Sequence, residues 1–210
     1  MNISILCSSH LHPVNQMLER WIAKHSDINV QLCRTLSELT GGEILFLISC
    51  SELVSQKIRS HYKHTLVIHA SDLPKGRGWS PYIWEVIAGA TEITISLIEA
   101  NDKVDTGNIW RKVTRNIPSH ALYDEINNAL FDAEEELMDF AVSNYQSIKP
   151  APQVDDHASY YPKRTPSDSE IDPQRSIADQ FDKIRVSDPS RYPAYFEFRG
   201  HQYKVTLEKL

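Results

Sequence analysis

Three features of the 210-residue chain could do chemistry together: a histidine ending an apolar run, an arginine between two glycines, and an aspartate followed by Thr-Gly. His69 closes Leu66-Val67-Ile68, Arg77 lies within Lys75-Gly76-Arg77-Gly78, and Asp105 opens Asp105-Thr106-Gly107. An imidazole titrates near neutrality, so it donates when charged and relays a proton when neutral. A carboxylate within hydrogen-bond reach would orient the ring, favour its cation and accept a proton in its turn. A cationic loop beside the pair suits an anionic substrate. Each feature also has an ordinary reading. A histidine at a strand end is more often structural, Asp-Thr-Gly is a turn sequence, and a Gly-broken basic loop can simply be solvated. His10-x-His12 offers metal-ligand types without an evident third partner, so no metal is expected.

The elements that must position these residues follow from hydrophobic periodicity. A strand over 2–7 precedes Ser8-Ser9-His10-Leu11-His12-Pro13. A helix from Pro13 sets Val14, Met17, Leu18 and Trp21 on one face. Strands follow over 29–33 and 42–49, the second apolar on both faces as in the middle of a parallel sheet. A helix over 51–60 leads to the strand that ends at His69. Ser80 is expected to cap, and Pro81 to open, a helix to Ala88. Strands over 91–98 and 107–113 are joined by the loop carrying Asp105. This alternation predicts an α/β fold with a Rossmann-like sheet. Ligands of such sheets bind beyond the carboxyl ends of the strands, where His69 and the Ser8–His10 loop both fall.

A helix over 119–146 repeats Leu122, Ile126, Leu130, Leu137, Phe140 and Ala141 inward, with Asp132, Glu134, Glu135, Glu136 and Asp139 read as its solvated face. Pro150-Ala151-Pro152 ends it, and a polar linker runs to about Ser169. A helix starting at Asp172-Pro173 turns Ile177, Phe181 and Ile184 inward. Tyr195–Val205 reads as a hairpin. The expected organisation is a catalytic domain over 1–150 and a small helix-plus-β-hairpin appendage over 151–210. Tyr160, Tyr161, Tyr195 and Phe198 are expected to pack that appendage, and His61 and His64 to be exposed at a helix end.

Composition narrows the function classes. A net charge of −6 argues against a generic nucleic-acid polymer as partner, since such surfaces draw affinity from basic groups. No apolar stretch approaches the roughly 20 residues of a membrane span, and Met-Asn-Ile-Ser-Ile-Leu-Cys reads as a strand rather than a signal peptide. Cys7, Cys33 and Cys50 sit in apolar runs, as buried thiols of a cytoplasmic protein would.

The motifs themselves carry a resemblance. His69-Ala70-Ser71-Asp72-Leu73-Pro74, Arg77-Gly78-Trp79-Ser80-Pro81 and Val104-Asp105-Thr106-Gly107 resemble the formyltransferases that use 10-formyltetrahydrofolate. The family pattern is Asn-x-His-Pro-Ser-Leu-Leu-Pro, an Arg-Gly loop and a downstream Asp-Thr-Gly. Tyr161-Pro162-Lys163-Arg164, Glu170-Ile171-Asp172, Lys183-Ile184-Arg185 and Tyr192-Pro193-Ala194 look like the segment after the catalytic domain in methionyl-tRNA and sugar N-formyltransferases.

The Arg-Gly-Trp-Ser-Pro form looks like the sugar enzymes. That resemblance implies a nucleotide-linked amino sugar as acceptor, of the UDP-linked 4-amino-4,6-dideoxy-N-acetyl type (an altrosamine) used in pseudaminic acid and other surface polysaccharide biosynthesis. The alternatives are a methionyl-tRNA-type enzyme and a folate- or nucleotide-binding relative without catalysis. The resemblance gives His69 and Asp105 the catalytic roles and assigns Ser71, Gly78, Trp79, Asn101 and Asp102 to the folate. Ser8, Ser9, His10, Lys75, Arg77, Ser80, Pro81 and Tyr195 fall to the acceptor. The sugar enzymes are often dimers, which makes the hairpin a candidate contact of a homodimer. One departure stands out: the family's asparagine, which helps hold the formyl oxygen, falls on Val67. Another donor, such as Asn101 or Asn108, a backbone N–H or a water, must then replace it.

Overall fold

A computed structural model describes residues 1–154 and 156–210. Apolar runs, alternating or continuous, build strands β1 (Asn2–Leu6), β2 (Asn29–Cys33), β3 (Gly42–Leu47) and β4 (Tyr62–His69), which run parallel to one another. Then β6 (Glu92–Glu99) lies antiparallel to β4, and β7 (Ile109–Asn116) antiparallel to β6. The sheet is therefore mixed, in the order β2-β1-β3-β4-β6-β7. The chain leaves β1 toward β2 on one side and leaves β3 toward β4 on the other. Their carboxyl ends thus form a topological switch point, the crevice where open α/β sheets take ligands.

One sheet face packs Ile3, Ile5, Ile44, Phe46, Leu66 and Ile68 against α1 (Val14–Lys24) and α4 (Tyr123–Asn144), which bring in Met17, Leu18, Trp21, Ile126, Leu130 and Leu137. The apolar stripe of α1 is the one its periodicity predicts. Trp21 donates its indole N–H to Asp139 at 2.7 Å and so ties the two helices together. The opposite face gathers Leu6, Cys33, Leu45, Leu47, Val54 and Tyr62, with Val67 and Ala100 at its margin. All three cysteines are free thiols, two buried and Cys50 half-buried.

Several expectations are corrected. The helix read over 51–60 is one turn, α2 (Gln56–Arg59); Ser51–Ser55 is a loop whose Ser51 N–H donates to the Ser8 hydroxyl at 3.1 Å. Glu134 is not on a solvated face: it is 7% exposed, because it falls four residues after Leu130 on the inward stripe. His64 is not at a helix end. It lies in β4 with its ring edge-on to Trp110 and Tyr145, and burial lowers its basicity.

In the tail, α5 (Ile177–Val186) starts at Ser176, whose hydroxyl accepts from the Asp179 N–H, rather than at Asp172-Pro173. Its first residue, Ile177, is exposed, and Ile184 faces in alongside Gln180 and Arg185. The strands β9 (Ala194–Phe198) and β10 (His201–Val205) form the hairpin as read.

Candidate active site

The run Leu66-Val67-Ile68 is driven into the sheet by its apolar side chains, and β4 delivers His69 at its carboxyl end with 8% of its surface exposed. The chain then turns through Ser71–Lys75 and returns Gly76 over the ring. His69 Nε2 lies 2.9 Å from the Gly76 carbonyl oxygen. A carbonyl only accepts, so Nε2 carries a proton and Nδ1 is the nitrogen left for chemistry. Nδ1 faces Asp105 Oδ1 at 3.6 Å, and both side chains are more than nine-tenths buried. That separation is slightly longer than a hydrogen bond, as catalytic contacts often are before substrate binds.

The Asp105 loop is held from two sides. Asp105 itself adopts a left-handed backbone, φ 57°. Its Oδ2 accepts the Gly78 N–H at 2.9 Å, and its carbonyl accepts from Arg77 Nε at 3.1 Å and Gln153 Nε2 at 2.9 Å. Arg77 and Gly78 form a two-residue strand, β5 (Arg77–Gly78), paired with β8 (Tyr160–Tyr161). Gly78 has φ 97°, and a Cβ there would lie 2.4 Å from the Tyr161 carbonyl oxygen, so only glycine fits. Arg77 was expected to meet substrate. It is instead 1% exposed, donating also to the Tyr160 hydroxyl and to Gln153 Oε1. It positions Asp105 from below.

The other expected residues are distributed as follows. Ser71 is fully buried beneath Gly76, with its hydroxyl unpartnered among the described residues. Asn101 and Asp102 are exposed on the loop that precedes Asp105. Asn101 Oδ1 accepts the Asp102 N–H, and Asn108 donates to Glu99, so neither is aimed at His69. Trp79 is 46% exposed and Lys75 is exposed. Ser80 does not cap with its side chain: its backbone is left-handed, φ 48°, and Pro81 opens α3 (Pro81–Ile87) as read. Ser8 and Ser9 line the switch point beside Ser49 and Ser51, and His10 is exposed there. Nearby, burial and the charge of Arg191 push His12 down to about 4. Tyr195 lies in the tail hairpin, its hydroxyl 3.4 Å from Glu170, outside this set.

Sequence reasoning missed Gln153, Tyr160 and Arg59. Gln153 sits in the Pro-rich linker, and nothing local marks it. Arg59 donates to the Val54 carbonyl at 2.7 Å and pairs with the Asp102 carboxylate, fastening the loop after β3 to the loop before Asp105. Val67 lies half-buried on the same strand face as His69, packed against the cluster that holds Leu45, Leu47 and Val54. A cavity of about 310 Å³ is walled by Arg59, Tyr62, Lys63, Thr65, Glu99 and Ala100, with Thr65 Oγ1 and His64 Nε2 buried and unpartnered among the described residues. A second concavity of about 380 Å³, between Ser167, Asp172 and Glu197, belongs to the tail and not to His69.

The comparisons with known proteins meet this geometry. The formyl transferase family model matches residues 9–142, which span both His69 and Asp105. The chain belongs to the formyl transferase family. The methionyl-tRNA formyltransferase of Protochlamydia amoebophila is 25% identical over 174 residues, 80% of this chain and 54% of that protein. The chain thus spans about half the length of that curated relative. Among solved structures, a methionyl-tRNA formyltransferase from Clostridium thermocellum superposes with TM-score 0.83 at 22% identity, covering 100% of this chain and 93% of the other. HypX from Aquifex aeolicus in complex with tetrahydrofolic acid gives 0.81 at 20% identity over 98% of this chain and 37% of that one. A 4-N formyltransferase from Francisella tularensis gives 0.75 at 17% identity over 100% and 98%. At these identities the likeness establishes the fold: a formyl transferase α/β domain with a small C-terminal strand pair.

Proposed function

We propose that this formyl transferase moves a formyl group from 10-formyltetrahydrofolate to the amine of a nucleotide-linked 4-amino-4,6-dideoxy sugar. The observation that carries the reading is the buried contact of His69 Nδ1 with Asp105 at the carboxyl end of β4. Formyl transfer requires a neutral amine to attack the formyl carbon, forming a tetrahedral oxyanion that expels the folate nitrogen. His69 Nδ1 and Asp105 together take the proton shed by the amine and return one to the leaving nitrogen. Gly76 and Gly78 fix both groups in advance, so little reorganisation remains when the substrates meet. Folate brings the reactive carbon, which must come within reach of His69. The tetrahydrofolic acid complex of the structurally similar HypX supports a folate donor.

Val67 supplies no donor to the oxyanion, whose loss typically costs about 100- to 1,000-fold in rate. Incubation with 10-formyltetrahydrofolate and nucleotide-linked 4-amino sugars should yield N-formyl product by mass spectrometry. Absence of turnover across the panel, together with gain of turnover in Val67→Asn, would make the wild-type chain a binding relative without catalysis.

The sugar acceptor draws support from the Arg77–Pro81 form and from the fold shared with a sugar N-formyltransferase from a Shewanella species. The second reading, initiator tRNA, draws support from the names of the curated relatives. Charged initiator tRNA as acceptor separates them. A cytoplasmic setting and a surface-glycan pathway belong to the same proposal. Among the described residues no helix is long and apolar enough to cross a membrane.

A further inference from the structure

Two substrates must reach one reacting centre, the buried contact of His69 with Asp105. On the side where Gly78 grips Asp105 Oδ2, the chain presents exposed aromatic and cationic side chains. Trp79 follows Gly78 directly, is 46% exposed, and is held by its backbone N–H on the Tyr161 carbonyl at 3.2 Å. Lys163 Nζ stands 4.9 Å above its ring. Tyr160 is 59% exposed, with the Arg77 guanidinium over its ring and bonded to its hydroxyl. The arm that carries Tyr160 and Lys163 is rigid: Tyr161 stacks on Trp84, whose indole N–H donates to the Pro162 carbonyl at 3.2 Å. An indole left half in water on a fixed backbone, with an ammonium parked over it, is a stacking platform with a counter-charge in place.

We infer that Trp79 and Lys163 form the subsite for the nucleoside diphosphate of the acceptor, the indole stacking on the base and the Lys163 ammonium meeting the diphosphate. This rests on the nucleotide-linked acceptor argued above and assigns it residues. Stacking tolerates any base, because every base has a π-face, whereas the ammonium selects for phosphate. Lys163 swings from the ring to the phosphates when the base takes its place. Trp79 thereby serves the acceptor and not the folate.

The test is calorimetric titration of the full chain with UDP, dTDP and uridine, with tetrahydrofolate in parallel. Trp79→Ala should weaken UDP and dTDP about ten- to a hundredfold, Trp79→Phe less than about fivefold, and neither should change tetrahydrofolate affinity. Lys163→Met should weaken the diphosphates and leave uridine unchanged. Thermal melts identify any variant that fails to fold, and Trp79→Phe, which keeps an aromatic ring, then carries the comparison. UDP binding as tight in Trp79→Ala as in wild type overturns the subsite alone and leaves the acceptor reading intact. Loss of tetrahydrofolate binding with intact UDP binding moves Trp79 to the donor and also overturns it. A wild-type chain that binds neither diphosphate overturns the subsite and the sugar-nucleotide acceptor together.

Discussion

His69 is a histidine with one nitrogen already spent. Because Nε2 donates to Gly76, any proton moved in the reaction passes through Nδ1 and the carboxylate facing it. His69→Ala and Asp105→Ala should therefore each lower kcat by about 100-fold or more while still folding; a variant retaining near-wild-type turnover would remove that residue from the mechanism. Gly78→Ala tests the support instead. The added methyl would press on the Tyr161 carbonyl in a backbone conformation L-residues avoid. It should displace the N–H from Asp105, lower the melting temperature and reduce activity together. Unchanged activity in that variant would show that Asp105 needs no grip from β5.

Helix α4 is the element in which pattern and burial disagree. Glu134 lies inside the fold with Oε2 unpartnered among the described residues, and burial raises its carboxyl to about 8. A carboxyl whose folded value lies above its unfolded one binds more protons in the folded state. Its contribution to stability is complete below the unfolded value of 4.5 and is lost as pH rises toward 8. Glu134→Gln should thus be near neutral at about pH 4 and stabilising by a few kcal/mol, as an order of magnitude, at about pH 8, measured by urea unfolding. Parallel unfolding free energies for the two proteins across that range would show that the carboxyl is ionised in the fold. At the other end of the chain, the Ser176 hydroxyl caps α5. Ser176→Ala should cost about 1 kcal/mol, read from the same unfolding curves.

At the scale of the whole molecule, the tail is sewn to the body by polar groups. Arg185, almost fully buried, donates to the carbonyls of Pro118 and Ala121 ahead of α4. Asp188 accepts from the Tyr123 hydroxyl at 2.7 Å and from Arg191 Nε at 2.6 Å. Burial alone would push Asp188 up; the hydrogen bonds from Arg191, Tyr123 and Ser190 outweigh it and hold it at about 2. Here the sign is opposite to that of Glu134. The stabilisation is present above the ordinary value of 3.8 and is lost as pH falls toward 2, so the tail should loosen in acid before the sheet does. Hydrogen exchange should show α5 and the hairpin losing protection first; simultaneous loss in sheet and tail would count against a separate polar tie. The acceptor question also belongs to this scale. With a net charge of −6, turnover on a small nucleotide sugar should vary little with salt, whereas a tRNA acceptor would show a steep decline.

By itself the sequence determined the strands and their faces, because burial of alternating and continuous apolar runs has few solutions. It also marked His69 and Asp105 as a pair, since their motifs are local and ordered along the chain. It could not show that β6 and β7 turn the sheet antiparallel, a matter of long-range pairing. Nor could it place Glu134 in the core or Arg77 beneath Asp105. Charge patterns describe one element at a time, whereas burial is set by what packs against that element. Tertiary structure alone joined Tyr160–Tyr161 to Arg77–Gly78 and Arg59 to Asp102, because hydrogen bonds between segments more than 40 residues apart leave no local signal in the sequence.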